Sequence, residues 1–317
     1  MVKRPLKLNR STEDARRWTA EQLLALCRFA EIGPRVLDLL AQRFGDPEDI
    51  LRVSPEQLRS IEGMTEEQVE QITNAARRLP EAEEYYRELR ARDIDVVTRF
   101  DPVFPHKLMD LNDPPPLLYT RGRLPKNDCK TVTIMGSASP TSEGIELTVE
   151  LGKRFAEAGV QVIASIRSGI DSSAHLGCRA AETPSEQERA SFAILDSGMN
   201  EILPAENVPL AIDIAQAGGV ISEYPPEEEF QPWNLQQTNR LLVGISQAVV
   251  VTEVYTGDEI ALDMLEFSSQ IGQLVFLMID PRYGALTDED AMRQAVTFGA
   301  IPLVGLERLQ DIIDSLV

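Results

Sequence analysis

The chain has 317 residues, 43% hydrophobic and 26% charged, with a formal net charge of −20. That length exceeds one small core and suits two domains, one of them large enough to bury a sheet. No run approaches the roughly 18 apolar residues of a membrane span, and residues 1–10 are basic and polar with no apolar stretch behind them, so neither a span nor a secretory signal is expected, and the cytoplasm is the expected compartment.

In chain order, short helices are expected over 20–32, 34–44 (closing at Gly45), 54–61 and 65–76. Ser54 and Thr65 stand where N-caps belong, with Gln57 and Gln68 three residues on, the spacing of a capping box. The turns Ile32-Gly33-Pro34-Arg35 and Ile61-Glu62-Gly63-Met64 look like the hairpins of helix-hairpin-helix modules, where glycine lets backbone amides approach a phosphate. Glycine also simply terminates helices, so both uses stay open. Residues 1–92, closed by a charged helix over 80–92, therefore read as a small all-helical domain of the SAM or helix-hairpin-helix kind. Residues 93–130 read as an extended connector that joins the sheet, with short strands over 94–97 and 117–120. Its run Asp113-Pro114-Pro115-Pro116 enforces a stiff, non-helical path.

From Thr131 the pattern changes. Apolar, β-branched strands are expected over 131–135, 160–164, 192–195, 219–222, 248–252 and 274–278, alternating with helices over 143–158, 171–181, 208–217, 259–271, 288–298 and 306–316. Strand–helix alternation of this kind makes a parallel sheet covered on both faces, so residues 131–317 are expected to form a doubly wound, Rossmann-like α/β domain. Ligands of such sheets lie beyond the carboxyl ends of the strands.

Function is therefore sought in the loops that leave Met135, Ala164 and Thr252, which are expected to converge on one pocket. Gly136, Ser137 and Ser139, with Gly144 opening a helix, offer hydroxyls and a positive helix end to an anion. In the second loop Arg167 supplies a cation, Gly169 the turn, and Asp171 and Ser172 the head of the next helix. Asp171 is expected to cap that helix and can share a face with His175; with no nucleophile placed beside them, the pair reads as a structural cap beside a packed histidine rather than a catalytic couple. Trp233 could stack on a base or anchor its loop.

The charge is unevenly spread: residues 1–130 hold 22 Lys/Arg against 23 Asp/Glu, and residues 131–317 hold 9 against 28. Binding a polyanion draws on clustered cations, and the second half does not advertise them. Cys27, Cys129 and Cys178 follow no metal or disulfide spacing, so reduced thiols, no metal and no cofactor are expected.

Several of these segments resemble the DNA-processing protein A (Smf) family in order and spacing. They are Met135-Gly136-Ser137, Gly169-Ile170-Asp171 with Ala174-His175, Pro204-Ala205-Glu206-Asn207, Ser222-Glu223-Tyr224-Pro225-Pro226, and Asn239-Arg240-Leu241-Leu242-Val243-Gly244-Ile245-Ser246. The resemblance runs from about Val103 onward and, more loosely, through the helical part. It implies a homodimer that coats single-stranded DNA and hands it to a RecA-type recombinase during uptake and processing of foreign DNA. Taken with the loop reading, it gives a candidate ligand- or DNA-binding set of Gly136, Ser137, Ser139, Arg167, Gly169, Asp171, Ser172, Trp233, Asn239, Arg240 and Gly257. A winged-helix extension like that of some members is not expected after the last helix.

Departures from the family's pattern fall on its cations. Ala138 stands where the family typically has arginine, Ser168 takes the place before Gly169 and displaces Arg167 by one, and Glu227-Glu228-Glu229 lies beside the Trp233 loop. Past the fifth strand, Asp258 and Glu259 follow Gly257 where the family commonly has hydroxyls. These changes favour an alternative: a relative with weakened DNA binding that senses a nucleotide-derived ligand or serves as a protein-interaction subunit. An enzyme such as a phosphoribohydrolase is not expected, because neither the Gly-Gly-x-Gly-Thr-x-x-Glu stretch of such enzymes nor a paired acid and base is present.

Overall fold

A computed structural model describes residues 18–45, 47–183, 185, 191–284 and 286–316. Residues 1–17 of the expected helical domain lie outside the described residues. By spatial contact the chain divides into two units, Met1–Phe104 with Asn112–Tyr119, and Pro105–Leu111 with Thr120–Val317.

The first unit is helical: α1 (Ala20–Leu23), a π-helical turn (Leu24–Phe29), α2 (Pro34–Phe44), α3 (Pro47–Arg52), α4 (Pro55–Arg59), α5 (Glu66–Ala75) and α6 (Leu79–Ala91), followed by strand β1 (Asp95–Thr98). Ser54 and Thr65 form reciprocal capping boxes with Gln57 and Gln68, and a third box pairs Thr19 with Gln22. The helix expected over 20–32 widens into the π turn and stops before Glu31, whose φ of 53° is incompatible with a helix. Leu23, Leu24, Leu26, Leu37, Leu40 and Leu58 are fully buried in this unit, and Trp18 stacks on Phe100 with ring centroids 4.6 Å apart.

Strand β2 (Leu117–Gly122) leads into the second unit. There β3 (Thr131–Met135), α7 (Ser142–Glu157), β4 (Gln161–Ser165), α8 (Ile170–Arg179), β5 (Ser191–Ile194), α9 (Val208–Ala217) and β6 (Gly219–Ser222) build one wing. The other wing comprises α10 (Asn234–Gly244), β7 (Ala248–Val251), α11 (Glu259–Ile271), β8 (Leu274–Ile279), α12 (Glu289–Thr297), β9 (Ile301–Val304) and α13 (Leu309–Ser315). Strands β3 to β9 are parallel, in the order β6-β5-β4-β3-β7-β8-β9. The chain winds outward from β3 through β6 and returns to β7 on the other side of β3, which puts the switch point between β3 and β7. Val132 and Ile134 of β3 face a core shared with Leu147, Leu151 and Phe155 of α7, Ala174 of α8 and Ile312 of α13. Thr133 points the other way, and its hydroxyl donates to the Leu242 carbonyl of α10. The expected α/β class is thus the observed one.

Three of these elements were not expected from the sequence: α3, α10 and β9. In α10 every residue from Thr238 to Gly244 is buried, so no polar stripe marks its period, and its first turn has no side-chain cap. Strand β9 carries Pro302 and buries only Leu303, which makes it a poor strand pattern but an acceptable edge.

Candidate ligand crevice at the strand ends

The loops after β3, β4 and β7 border one cleft of about 260 Å³, which lies at the switch point. Of the candidate binding set, Gly136, Arg167, Asp171 and Gly257 line it directly.

The helix end expected to take an anion already holds one. Glu253, two residues past β7, is fully buried, and its carboxylate accepts the Thr141 N–H at 2.8 Å and the Thr141 hydroxyl at 2.9 Å. Thr141 is the N-cap of α7, and its Oγ1 in turn accepts the Gly144 N–H at 3.0 Å. A Cβ on Gly144 would lie 1.6 Å from Glu253 Oε2, so residue 144 must be glycine for this carboxylate to sit there. Ser137 is turned to the same side: its N–H donates to the Glu253 carbonyl, and its hydroxyl donates to Asp258 at 3.2 Å. The Ser139 N–H donates back to the Ser137 hydroxyl.

In the second loop Gly169, at φ 88°, is the N-cap of α8, and a Cβ there would meet the Ser137 carbonyl oxygen at 2.4 Å. The expected cap by Asp171 is not formed, because its side chain turns inward. The Asp171 carboxylate accepts the Ser165 hydroxyl and the Gly136 N–H, and burial raises it to about 6 against the pull of Arg167. It does not meet His175. That imidazole accepts from or donates to Ser191 Oγ through Nδ1 and bonds the Ser165 carbonyl through Nε2, both at 2.9 Å. A carbonyl only accepts, so Nε2 carries the proton, Nδ1 receives the serine hydroxyl, and burial lowers the ring to about 4. Ser172 donates its hydroxyl to the Gly169 carbonyl within its own helix.

The crevice cation Arg167 and the family-motif cation Arg240 are both spoken for. Arg167 forms a two-point pair with Asp196 (2.8 and 2.6 Å), both side chains 13% exposed, and its third nitrogen donates to Asn239 Oδ1 at 3.1 Å. Asn239 also ties α10 to the Ile260 carbonyl. Arg240, expected to face a phosphate, instead bonds both oxygens of Glu223 (2.6 and 2.7 Å) and Gln237, and is only 10% exposed. Asp196, Glu223 and Glu253 are the residues sequence reasoning missed. Trp233 stands outside this closed set, 66% exposed at the head of α10, whose next residue, Asn234, donates to the Asp196 carbonyl at the end of β5. A loop anchor would be buried, so the exposure leaves this indole accessible for stacking.

Fold and crevice together define a Rossmann-like α/β domain with a cleft at its switch point. The chain belongs to the DNA recombination-mediator protein A family, whose pattern residues 95–300 match. Residues 23–78 match the SAM-like helix-hairpin-helix tandem. It is 29% identical over 234 residues to protein Smf of Synechocystis sp., covering 73% of this chain and 57% of that protein. It is 27% identical over 177 residues to DNA processing protein DprA of Bacillus subtilis, covering 56% and 57%. The chain thus spans little more than half the length of these curated relatives. Among solved structures, DprA of Streptococcus pneumoniae superposes with a TM-score of 0.72 at 17% identity, over 93% of this chain and 98% of that one. DNA processing protein A of Helicobacter pylori, whose structure is described as giving insight into a single-stranded DNA binding mode, superposes at 0.58 and 18%, over 71% and 97%. No helix among the described residues is long and apolar enough to cross a membrane.

Proposed function

We propose that this chain is a cytoplasmic single-stranded-DNA-binding protein of DNA processing, which holds a strand by stacking its bases and passes it to a RecA-type recombinase. The observation that carries the reading is Trp233, a large aromatic surface exposed beside the strand ends, while Arg167 and Arg240 are held by carboxylates. Stacking tolerates any base and needs no free cation. Family membership supports the same role. A binding rather than catalytic role fits His175, which is buried, neutral and bonded at both nitrogens. The homodimer reading is supported by the edge strand β9, which exposes Ile301 and Val304, and is checked by sedimentation.

The chain has two tryptophans and Trp18 is buried, so quenching by oligothymidylate reports on Trp233. Trp233→Ala is expected to remove the quenching and cost about 1–3 kcal/mol of binding. Because each phosphate neutralised adds about −0.7 to the slope of log K against log salt, that slope is expected to be shallower than about −2. Absence of quenching at low salt, or a steep slope unaffected by Trp233→Ala, overturns the reading.

The cleft itself favours a second ligand class. Asp171, Asp258 and Glu259 line it beside an already neutralised Arg167, which suits the hydrogen-bond donors of a nucleobase or a cation better than a nucleotide's phosphates. A thermal-shift panel of nucleosides and nucleotides tests this, since a ligand at a hundred times its Kd adds about 2.7 kcal/mol. A larger shift with the nucleotides, or none with either, removes the idea.

A further inference from the structure

The opposite end of the same sheet carries a second cavity with the reverse electrostatics. It measures about 360 Å³ and is bordered by Lys107, Lys126, Lys130, His106, Cys129 and Asp128, among others. Thr131, the first residue of β3, and Gln247, just before β7, also line it, so it lies at the amino-terminal ends of the strands. Three of the chain's six lysines and one of its two histidines meet there, in a chain of net charge −20.

Two amide side chains hold this arrangement in place, one of them buried. The side chain of Gln161, itself buried, accepts the Lys126 N–H at 2.8 Å and donates to the Lys126 carbonyl at 3.1 Å, clamping that residue from both sides. Asn127 accepts the His106 N–H at 2.8 Å and so fixes the start of the turn His106–Asp110, which Leu108 anchors in the core. Lys130 donates one of its three ammonium hydrogens to the Ile313 carbonyl at 2.6 Å, which leaves two for a ligand. Lys107 and Lys126 are exposed and make no ion pair among the described residues.

We propose that this cavity is a phosphate-binding site, separate from the strand-end crevice and unassigned by the family resemblance. Its cations are all lysines, compact point charges without the planar fork that selects carboxylates or guanine edges. Three of them against the single carboxylate of Asp128 match an anion of at least two charges. A terminal phosphate of a polynucleotide and a free phosphoester share that chemistry.

The test is calorimetry on the full chain in chloride buffer with inorganic pyrophosphate, then with oligothymidylates bearing or lacking a 5′-phosphate. Saturable pyrophosphate binding is expected, weakened at least tenfold in the double variant Lys107→Ala/Lys126→Ala and unchanged in Trp233→Ala. A circular-dichroism melt confirms that the double variant is folded. If the 5′-phosphate tightens oligonucleotide binding and the double variant abolishes only that gain, the ligand is a strand terminus. If pyrophosphate binds and the 5′-phosphate adds nothing, it is a free phosphoester. No saturable binding of pyrophosphate, or equal binding by the double variant, overturns the proposal. The stacking of Trp233 on an oligonucleotide lacking the phosphate stands or falls independently.

Discussion

The two ends of the parallel sheet treat positive charge in opposite ways. Beyond the carboxyl ends, Arg167 and Arg240 are each met by a carboxylate from a neighbouring loop, and a third carboxylate, Glu253, fills the helix end that could have taken an anion. At the amino ends, Lys107 and Lys126 stand around a cavity with one acidic side chain on its wall. A cation in a motif is therefore no measure of a cation on offer. What decides is whether the fold has placed a carboxylate within reach, and in a crevice shielded from solvent such a partner is hard for an outside phosphate to displace.

The contrast is broken most sharply by removing one partner of a buried pair. Arg167→Ala leaves Asp196 and Asp171 without their cation in a site largely closed to water, and a loss of about 3–5 kcal/mol in urea unfolding is expected. A cost under about 1 kcal/mol would mean that the guanidinium is not committed to Asp196 and is available to a ligand.

Next in size is a pH effect hidden by cancellation. Burial raises Asp171 from 3.8 to about 6, so between those values the native state keeps a proton that the unfolded chain has lost, and stability falls as pH rises. Burial lowers His175 from 6.5 to about 4, so in that window the unfolded chain holds a proton that the native state excludes, and stability falls as pH drops. Each shift is worth on the order of 3 kcal/mol and the two oppose each other, so wild-type stability should be nearly flat across the shared window. His175→Gln is expected to expose the Asp171 dependence, and Asp171→Asn the opposite slope. Parallel profiles in the two variants would refute both assignments.

A smaller effect tests the internal anion at the head of α7. Gly144→Ala drives a methyl group into the Glu253 carboxylate, and a cost of about 1–3 kcal/mol is expected as Glu253 leaves Thr141. A neutral outcome would show that the carboxylate swings away freely and that the helix end is open to a phosphate.

How much of this was legible in the sequence differs between fold and site. Apolar runs such as Val132–Ile134 and Ala248–Val251, each followed by an amphipathic helix, announce a parallel sheet because burial on both faces requires them. The capping boxes at Ser54 and Thr65 are equally plain, because both partners lie within four residues. The convergence of Gly136, Arg167 and Gly257 on one cleft follows from topology. What stayed hidden was pairing over long separations: Arg167 with Asp196, Arg240 with Glu223, Thr141 with Glu253. One signal could have revealed it, since β5, β6 and β7 are each followed within two residues by an acid, Asp196, Glu223 and Glu253. Each stands just past a strand end, and two of them, Asp196 and Glu223, are the partners of Arg167 and Arg240. The basic cavity at the other end was invisible for a different reason, since Lys107, Lys126 and Lys130 carry no motif and meet only through the fold.

The smallest expected effect has the opposite sign from the first. Lys126→Ala removes a charge that pairs with no described residue, while Gln161 holds only its backbone, so the mutation strips no buried partner. Stability is expected to change by less than about 0.5 kcal/mol, and upward, because fewer like charges then share the cavity. Adding pyrophosphate should raise the Tm of the wild-type chain and leave that of Lys107→Ala/Lys126→Ala where it was, since a ligand stabilises only the state that binds it. A loss above about 1 kcal/mol in Lys126→Ala would show that this ammonium already has an internal partner, and the two ends of the sheet would then no longer differ in kind.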